Sequence, residues 1–162
     1  MGDGYGKKGH DKQGGSDHRR HVGIATGLAR RGARVVIVGR SPERAQAALQ
    51  DIAEVAGNDQ GKFLTADLSL MSSMQHLSEA IRRKDDNLHV LANVGGAMYR
   101  DKKMTAEGIE RMFAVNDLNH FYLTVQLLDM LKASRPARVI TVSGAPRFLR
   151  NAKLNLADLQ LE

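Results

Sequence analysis

Four short runs of mostly apolar residues constrain the fold of this chain more than any other feature. Each run is continuous rather than alternating, which is typical of parallel strands covered on both faces. Helical patterns separate the runs, so the order is a helix, three strand–helix pairs and a final strand. This order predicts an α/β fold with a doubly wound parallel sheet. The predicted strands lie at residues 34–38, 62–66, 89–93 and 138–142.

The segments between the runs carry signals for helix ends. Residues 41–43 are Ser-Pro-Glu, which provides a capping hydroxyl, a proline for the first turn and an acid at the positive end of the helix dipole. Gly57 predicts the end of this helix. Ser69 or Ser72 is suited to begin the next helix. Residues 105–108 predict the start of the longest helix.

Composition separates the N-terminus from the rest of the chain. Met1 and Tyr5 are the only apolar side chains in residues 1–21, so we expect a basic, glycine-rich, disordered tail there and a folded domain at 22–162. The net charge is +6, but the basic residues are scattered without interleaved aromatics, so no specific nucleic-acid partner is expected. The chain has no cysteines, and its six histidines are not spaced as metal ligands, so no metal site is predicted.

No apolar run has the length of a membrane helix, and the N-terminus lacks the apolar stretch of a signal peptide. The sequence therefore predicts no transmembrane segment and a cytoplasmic location.

Polar residues and glycines follow each predicted strand at its carboxyl end, which is where open α/β sheets bind ligands. Each residue alone has an ordinary alternative: a surface arginine, a helix cap or a turn. Four such sites at one sheet edge favour a ligand-binding site. The candidates are Arg40 after the first strand, Asp67 and Leu68 after the second, Asn93, Gly95 and Gly96 after the third, and Ser143 and Gly144 after the fourth.

Asn116 lies on the apolar stripe of the long helix, seven residues after Ile109 and four after Met112. A buried amide needs hydrogen-bond partners. On periodicity alone, we interpret Asn116 as a structural amide that ties the helix to neighbouring backbone.

Five segments, in this order and at this spacing, resemble the short-chain dehydrogenases/reductases. The similarity is greatest to the retinol-dehydrogenase-like branch, which also has a motif like Asp158-Leu-Gln160. The resemblance implies a Rossmann-like NAD(P)-binding domain. It also implies an oxidoreductase that interconverts a small-molecule carbonyl and alcohol. The segments are residues 28–40, 66–69, 88–96, 105–116 and 138–143.

The resemblance implies roles for individual residues. Arg40 would contact the adenosine 2′-phosphate, which favours NADP over NAD. Asn116 would be the catalytic asparagine that holds a water for proton relay, and this role is preferred to the structural amide. The other implied cofactor contacts are Asp67 and Leu68 beside the adenine, Asn93, Gly95 and Gly96 along the cofactor, and Gly15 in the phosphate loop.

The N-terminal region departs from the family pattern. Residues 14–21 stand where the phosphate loop belongs, but Arg19, Arg20 and His21 replace its Gly-Ile-Gly. We expect these side chains to crowd the pyrophosphate, although two arginines would also attract it. Residues 7–12 do not fit a buried strand, so the first, central strand of the sheet is predicted to be missing. Its loss would leave two unpaired inner edges.

Two departures concern catalysis. Gly144 occupies the position of the family's catalytic serine. The family's Tyr-xxx-Lys motif is expected shortly after Gln160, but the sequence ends at Glu162 without it. We therefore expect a truncated chain that does not turn over substrate by itself. Three interpretations stay open: part of an NADP-dependent oxidoreductase, a non-catalytic nucleotide-binding or interaction protein, or a decayed fragment. A homo-oligomer is compatible with each of the first two.

Overall fold

A computed structural model describes residues 15–57, 59–144 and 155–159 of the chain. Strands and helices alternate in the predicted order. A π-helical turn (Ala114–Leu118) joins the fourth helix to the fifth. The strands are β1 (Val36–Gly39), β2 (Lys62–Thr65), β3 (Val90–Asn93) and β4 (Arg138–Thr141); the helices are α1 (Gly15–Ala29), α2 (Pro42–Ala56), α3 (Met71–Lys84), α4 (Arg111–Phe113), α5 (Asn119–Gln126) and α6 (Leu128–Ala133).

The four strands form two separate parallel pairs. Strand β1 pairs with β2, with Val36 opposite Lys62, and β3 pairs with β4, with Val90 opposite Arg138. Within the described residues, no strand pairs with the second edge of β1 or of β3. The structure therefore confirms the prediction of a Rossmann-like parallel arrangement, and its described residues contain no strand between β1 and β3. Residues 7–12, where the central strand was predicted to be missing, lie outside the described residues.

The larger of the two hydrophobic clusters of the described residues holds the two strand pairs together. It consists of Ala66 after β2 and of buried residues from α3, β3 and the helical segment after β3. Leu64 and Leu68, in and after β2, pack against it. Full burial of a leucine or methionine stabilises the fold by roughly 1.5–3 kcal/mol, so this cluster is the main source of stability. Its members are Ala66, Met74, Leu77, Ile81, Leu91, Leu123, Leu127 and Leu131.

The smaller cluster joins α1 and α2 to β1. Its buried members are Ala25, Ala29 and Ile52, with Val35 and Ile37 packed against them. Helices α1 and α2 contact each other, whereas α3 contacts α5. The helices therefore form two groups, as a doubly wound fold requires.

Strand β4 is less buried than its sequence predicts. Leu91 and Asn93 of β3 are buried, but all four residues of β4 are exposed. The expectation of a strand covered on both faces is wrong for β4 in the described part of the chain. The reason is that only β3 makes extensive contacts with it there.

Local signals placed the ends of α2 correctly. The Ser41 hydroxyl accepts a hydrogen bond from the Arg44 backbone N–H, and Pro42 is the first helical residue. Gly57 ends the helix in a left-handed conformation with φ of 69°, which a glycine adopts without the clash of a Cβ atom.

The start of the long helical segment differs from its prediction. Residues 105–108 form a turn in which the Gly108 N–H donates to the Thr105 carbonyl. The helix begins at Arg111, because the Glu110 carboxylate accepts hydrogen bonds from the backbone N–H groups of Met112 and Phe113. The capping residue is therefore an acid, five residues later than the threonine that the sequence suggested.

Helix α1 begins at Gly15, seven residues before the predicted start of the domain at residue 22. Residues 15–21, which the sequence assigned to the tail, are thus part of a helix. The rest of the predicted tail, residues 1–14, lies outside the described residues.

Candidate functional site

The carboxyl ends of the four strands are joined by direct contacts. The Ala66 N–H donates to the Gly39 carbonyl, which links the ends of β2 and β1. The Val142 N–H donates in the same way to the Asn93 carbonyl, which links the ends of β4 and β3. Leu68 and Gly95 then connect the two strand pairs. The predicted candidate residues therefore lie along one edge of the molecule.

Arg40 directly follows β1 on this edge and lies just before the N-terminus of α2. Its side chain is exposed, and no carboxylate of the described residues is within ion-pair distance of it. Beside it, Ser41 donates to Glu43 at 2.8 Å. The pKa of Glu43 is lowered by its own backbone N–H and, to a smaller extent, by the Ser41 hydroxyl. An unpaired guanidinium at a helix N-terminus is suited to bind a phosphate.

Asp67 has a structural role in the turn before α3, which is close to the ordinary alternative of a helix cap that the sequence left open. Its Oδ1 accepts hydrogen bonds from the backbone N–H and the hydroxyl of Ser69, at 2.9 and 2.8 Å. Its own N–H donates to the Ser73 hydroxyl. Asp67 therefore organises the turn between β2 and α3, and a contact with adenine stays a prediction.

Leu68 and Gly95 approach each other closely. A Cβ atom at Gly95 would lie 2.9 Å from Cδ1 of Leu68, which is closer than packed carbon atoms come. The Leu68 carbonyl also accepts a hydrogen bond from Nδ2 of Asn119 at 2.9 Å. Gly95 is thus required for packing at the junction of the two strand pairs.

Asn93 and Gly96 face the helical segment after β3. Asn93 is buried, and its Nδ2 donates to the Thr124 hydroxyl at 3.2 Å. A Cβ atom at Gly96 would lie 3.3 Å from Oδ1 of Asn116, a tight contact. Both residues therefore serve the contact between this loop and the helix, whereas their predicted contacts with a cofactor are untested.

Asn116 lies at the centre of the π-helical turn. Its Oδ1 accepts from the Ala97 N–H at 2.8 Å, and its Nδ2 donates to the Ala97 carbonyl at 2.9 Å. The side chain is therefore the structural amide that periodicity suggested, and a catalytic role stays a prediction. The Asn119 N–H donates to the Ala114 carbonyl, the five-residue spacing of a π-turn. Such turns are frequent at functional sites.

His120 was missed by the sequence analysis, which searched the histidines only for metal spacing. Its Nε2 lies 3.8 Å from the position that a Cβ atom on Gly95 would occupy. Partial burial lowers the pKa of His120. Asp117 and hydrogen bonds to the backbone of Gly95 and Asn116 oppose this effect only partly. A spacing of four residues from Asn116 was the available signal, because it places both side chains on one helix face.

The remaining candidates lie at the two ends of the chain. Ser143 and Gly144 follow β4 and are exposed, and no described atom lies within 4 Å of a Cβ atom built on Gly144. Gly15 is the first residue of α1. The loop predicted at residues 14–21 is thus helical from Gly15 onward, because the helix extends further toward the N-terminus than its apolar pattern indicated.

Glu107 connects two loops of this edge. Its carboxylate accepts hydrogen bonds from the backbone N–H groups of Met71 and Ser72, the first residues of α3. The Ser72 side chain lowers the pKa of Glu107 most, followed by these two N–H groups. The loop after β3 thereby provides the N-terminal cap of α3, for which neither Ser69 nor Ser72 is used.

Among the described residues, histidine, aspartate and glutamate side chains do not gather in groups of three or more that could hold a metal ion. None of the described helices combines the length and apolar character needed to cross a membrane.

Comparison with known proteins places the chain in a family. The family model for short chain dehydrogenases matches residues 22–152. Human polyprenol dehydrogenase is 39% identical over 145 residues, which are 86% of this chain and 43% of that protein. Bovine retinol dehydrogenase 12 is 39% identical over 133 residues, 82% of this chain and 42% of that protein. The chain thus spans about two fifths of the length of these relatives.

Solved structures agree with this assignment at the level of the fold. A metagenomic short-chain oxidoreductase in complex with NADP aligns with a TM-score of 0.70 and 21% identity. The alignment covers 81% of this chain and 59% of that one. The Sphingobium yanoikuyae short-chain dehydrogenase in complex with NADPH aligns with a TM-score of 0.64 and 24% identity, over 78% of this chain and 52% of that one. The chain therefore belongs to the NAD(P)-binding short-chain dehydrogenase family, in its retinol-dehydrogenase-like branch.

Proposed function

We propose that this chain forms the NADP(H)-binding part of an oxidoreductase that interconverts a small-molecule alcohol and its carbonyl. The observation that carries the proposal is the continuous edge described above. Contacts join all four strand ends there, and Arg40 stands exposed beside the N-terminus of α2. A strand-end edge of this kind is where doubly wound folds bind nucleotides.

Arg40 supports NADP rather than NAD as the cofactor. NADP differs from NAD by the 2′-phosphate, and a free guanidinium binds a phosphate through charge-assisted hydrogen bonds. The described residues around Arg40 offer no competing carboxylate within ion-pair distance. Glu43, the nearest acid in sequence, is already hydrogen-bonded to Ser41.

The rest of the edge is suited to hold the cofactor rather than to react with it. Gly95 and Gly96 bring backbone without side chains to the end of β3, and Asn116 fixes the adjoining residue Ala97. Bound NADPH would supply the hydride for carbonyl reduction. Both relatives named above carry an alcohol in their names, polyprenol or retinol, which supports an apolar alcohol and its carbonyl as the substrate pair.

Titration of the purified chain with NADPH and with NADH, followed by nucleotide fluorescence, tests this proposal. The wild-type chain should bind NADPH more tightly. Arg40→Gln should weaken NADPH binding about tenfold and leave NADH binding unchanged, since one charge-assisted contact is lost. Arg44→Gln is the matched control, because Arg44 is also exposed and lies in the first turn of α2. Equal affinities for both nucleotides would contradict the NADP preference, and no binding at millimolar NADPH would contradict the function.

A second candidate, nucleotide binding without turnover, is favoured by Gly144. The catalytic serine of the resembling family falls at this position, and a glycine supplies no hydroxyl. This candidate predicts NADPH binding without NADPH consumption when retinal or another apolar carbonyl is added. Consumption of NADPH by the purified chain would exclude it.

A further inference from the structure

Asn119 is a buried amide that connects the helical segment after β3 to the turn after β2. Its side chain is 1% exposed. Nδ2 donates to the Leu68 carbonyl at 2.9 Å, 51 residues away in the sequence, and to the Val115 carbonyl at 2.8 Å, four residues earlier in the helical segment. Because this atom faces two acceptors, only the amino group of the amide fits there. Position 119 therefore requires a hydrogen-bond donor.

The second polar atom of the Asn119 side chain has no such partner. Among the described residues, no group donates a hydrogen bond to Oδ1, although this atom is buried. A buried acceptor without a donor costs stability. A serine hydroxyl, which commonly donates to the carbonyl four residues earlier, would serve the helix without that cost. What the amide adds is therefore the bond to Leu68.

The turn that Asn119 holds lies on the strand-end edge. The Ala66 N–H donates to the carbonyl of the last residue of β1, directly before Arg40. On the other side, Leu68 packs closely against the loop after β3 at Gly95. Within the described residues, no strand lies between β1 and β3. The position of this turn relative to the end of β3 therefore depends on side-chain contacts, and the Asn119 hydrogen bond is one of them.

We propose that Asn119 is a positioning residue of the nucleotide site: its Nδ2 holds the Leu68 carbonyl and thereby keeps the turn after β2 where it binds the adenosine half of NADPH. This inference rests on the function proposed above. The 2′-phosphate assigned there to Arg40 belongs to the adenosine half, so that half lies beside this turn. A merely structural amide would contribute to the free energy of unfolding but not to the nucleotide affinity of the folded chain.

Ser134 provides a matched comparison at the opposite end of β3. It is buried, and its hydroxyl donates to the Met130 carbonyl, four residues earlier, and accepts from the Leu88 N–H ahead of β3. Ser134 thus ties a helix to a distant segment as Asn119 does, but at the amino end of the strand, away from the nucleotide edge. Ser134→Ala should therefore lower the melting temperature without changing the nucleotide affinity.

Two substitutions remove the bond to Leu68. In Asn119→Ser the hydroxyl can still donate to the Val115 carbonyl, but it is too short to reach across to Leu68 as well. Asn119→Leu fills the volume of the amide without a donor and serves if the serine variant does not fold. Each full chain is melted to confirm that it is folded. It is then titrated with NADPH and with adenosine 2′,5′-bisphosphate, which carries only the adenosine half of the cofactor.

Both Asn119 variants should bind NADPH and adenosine 2′,5′-bisphosphate about fivefold more weakly than the wild type, as loss of one hydrogen bond predicts. Ser134→Ala should remain within about twofold of the wild type for both ligands. Wild-type affinities in the Asn119 variants, an equal loss in Ser134→Ala, or a loss for NADPH alone would each overturn the positioning role while the proposed function stood. Absence of NADPH binding by the wild type would overturn the proposed function and this inference with it.

Discussion

Two loops of the strand edge, one after β3 and one after β1, are built in opposite ways. At the end of β3 and in the loop after it, Asn93 and Ala97 form hydrogen bonds with side chains of the helical segment that follows, and a Cβ atom at Gly95 would clash with Leu68. At the end of β1, a Cβ atom built on Gly39 would lie an ordinary 3.8 Å from Phe63, and Arg40, which follows, is exposed. Substitutions in the first loop should therefore change the stability of the fold. Substitutions in the second loop should change only the affinity for a ligand.

The largest expected effect is that of Asn116→Leu. This change removes both hydrogen bonds to Ala97 and leaves its N–H and carbonyl without their partner. We expect a loss of about 2 kcal/mol in the free energy of unfolding, measured by urea denaturation. Asn116→Asp should have a smaller effect, because a carboxylate still accepts from the Ala97 N–H but no longer donates.

The control for this substitution is Asn87→Leu. Asn87 is exposed between α3 and β3, and its replacement should change the free energy of unfolding by less than about 0.5 kcal/mol. If Asn116→Leu were as mild as this control, the contrast between the two loops would disappear.

Gly95→Ala should have the next largest effect. The new methyl group would lie 2.9 Å from Leu68, so the leucine or the loop must move, at a cost of about 1–2 kcal/mol. In a Leu68→Ala background the same change should cost less than about 0.5 kcal/mol, and a double-mutant cycle measures this coupling. Additive effects in the cycle would show that the close approach does not determine the need for glycine.

Gly27→Ala should have the opposite effect to Gly95→Ala, because it should raise the free energy of unfolding. Gly27 lies inside α1, and apart from the helix's own backbone no described atom is within 4 Å of a Cβ atom placed there. Alanine should stabilise the helix by about 0.5–1 kcal/mol, because glycine loses more backbone entropy on folding. A loss of stability with this variant would argue against the continuous helix from Gly15.

Local and long-range determinants explain which features the sequence predicted. The strands and the ends of α2 follow from signals within a few residues, such as the continuous run ending at Val38, the Ser41 cap and Gly57. The cap of α3 was missed because Glu107 lies 36 residues from the N–H group of Met71. No local pattern reports a partner at that distance.

The sequence predicted that the candidate residues lie along one edge of the sheet, but it did not predict the contacts among them. Strand ends alone placed Arg40, Asp67, Asn93 and the two glycines along one edge. Helical periodicity of 3.6 residues does not predict a π-turn, so the geometry around Asn116 came only from the structure. The position of His120 beside Gly95 depends on the path of the loop after β3, and a helix pattern contains no information on that loop.

Glu107→Gln tests whether the loop after β3 also stabilises α3, with a smaller expected effect. The folded pKa of Glu107 is lowered from 4.5, so its charge adds stability above pH 4.5, and this stability is lost as the pH falls through the folded pKa. The melting temperature of Glu107→Gln should therefore lie slightly below the wild-type value at pH 7. The two should converge as the pH falls below 4.5. Glu54→Gln, at an exposed position of α2, is the control; a gap between wild type and Glu107→Gln that persisted at pH 3 would contradict a charge effect.

Gly144→Ser should change the free energy of unfolding least among these substitutions. The described structure leaves open space around a Cβ atom at this position, and Gly144 does not adopt a positive φ. Neither a steric clash nor backbone strain opposes a serine, so the free energy of unfolding should change by less than about 0.5 kcal/mol in urea denaturation. A larger loss would mean that the loop after β4 is packed as tightly as the loop after β3. In that case the exposed end of the edge would be limited to Arg40 and its neighbours.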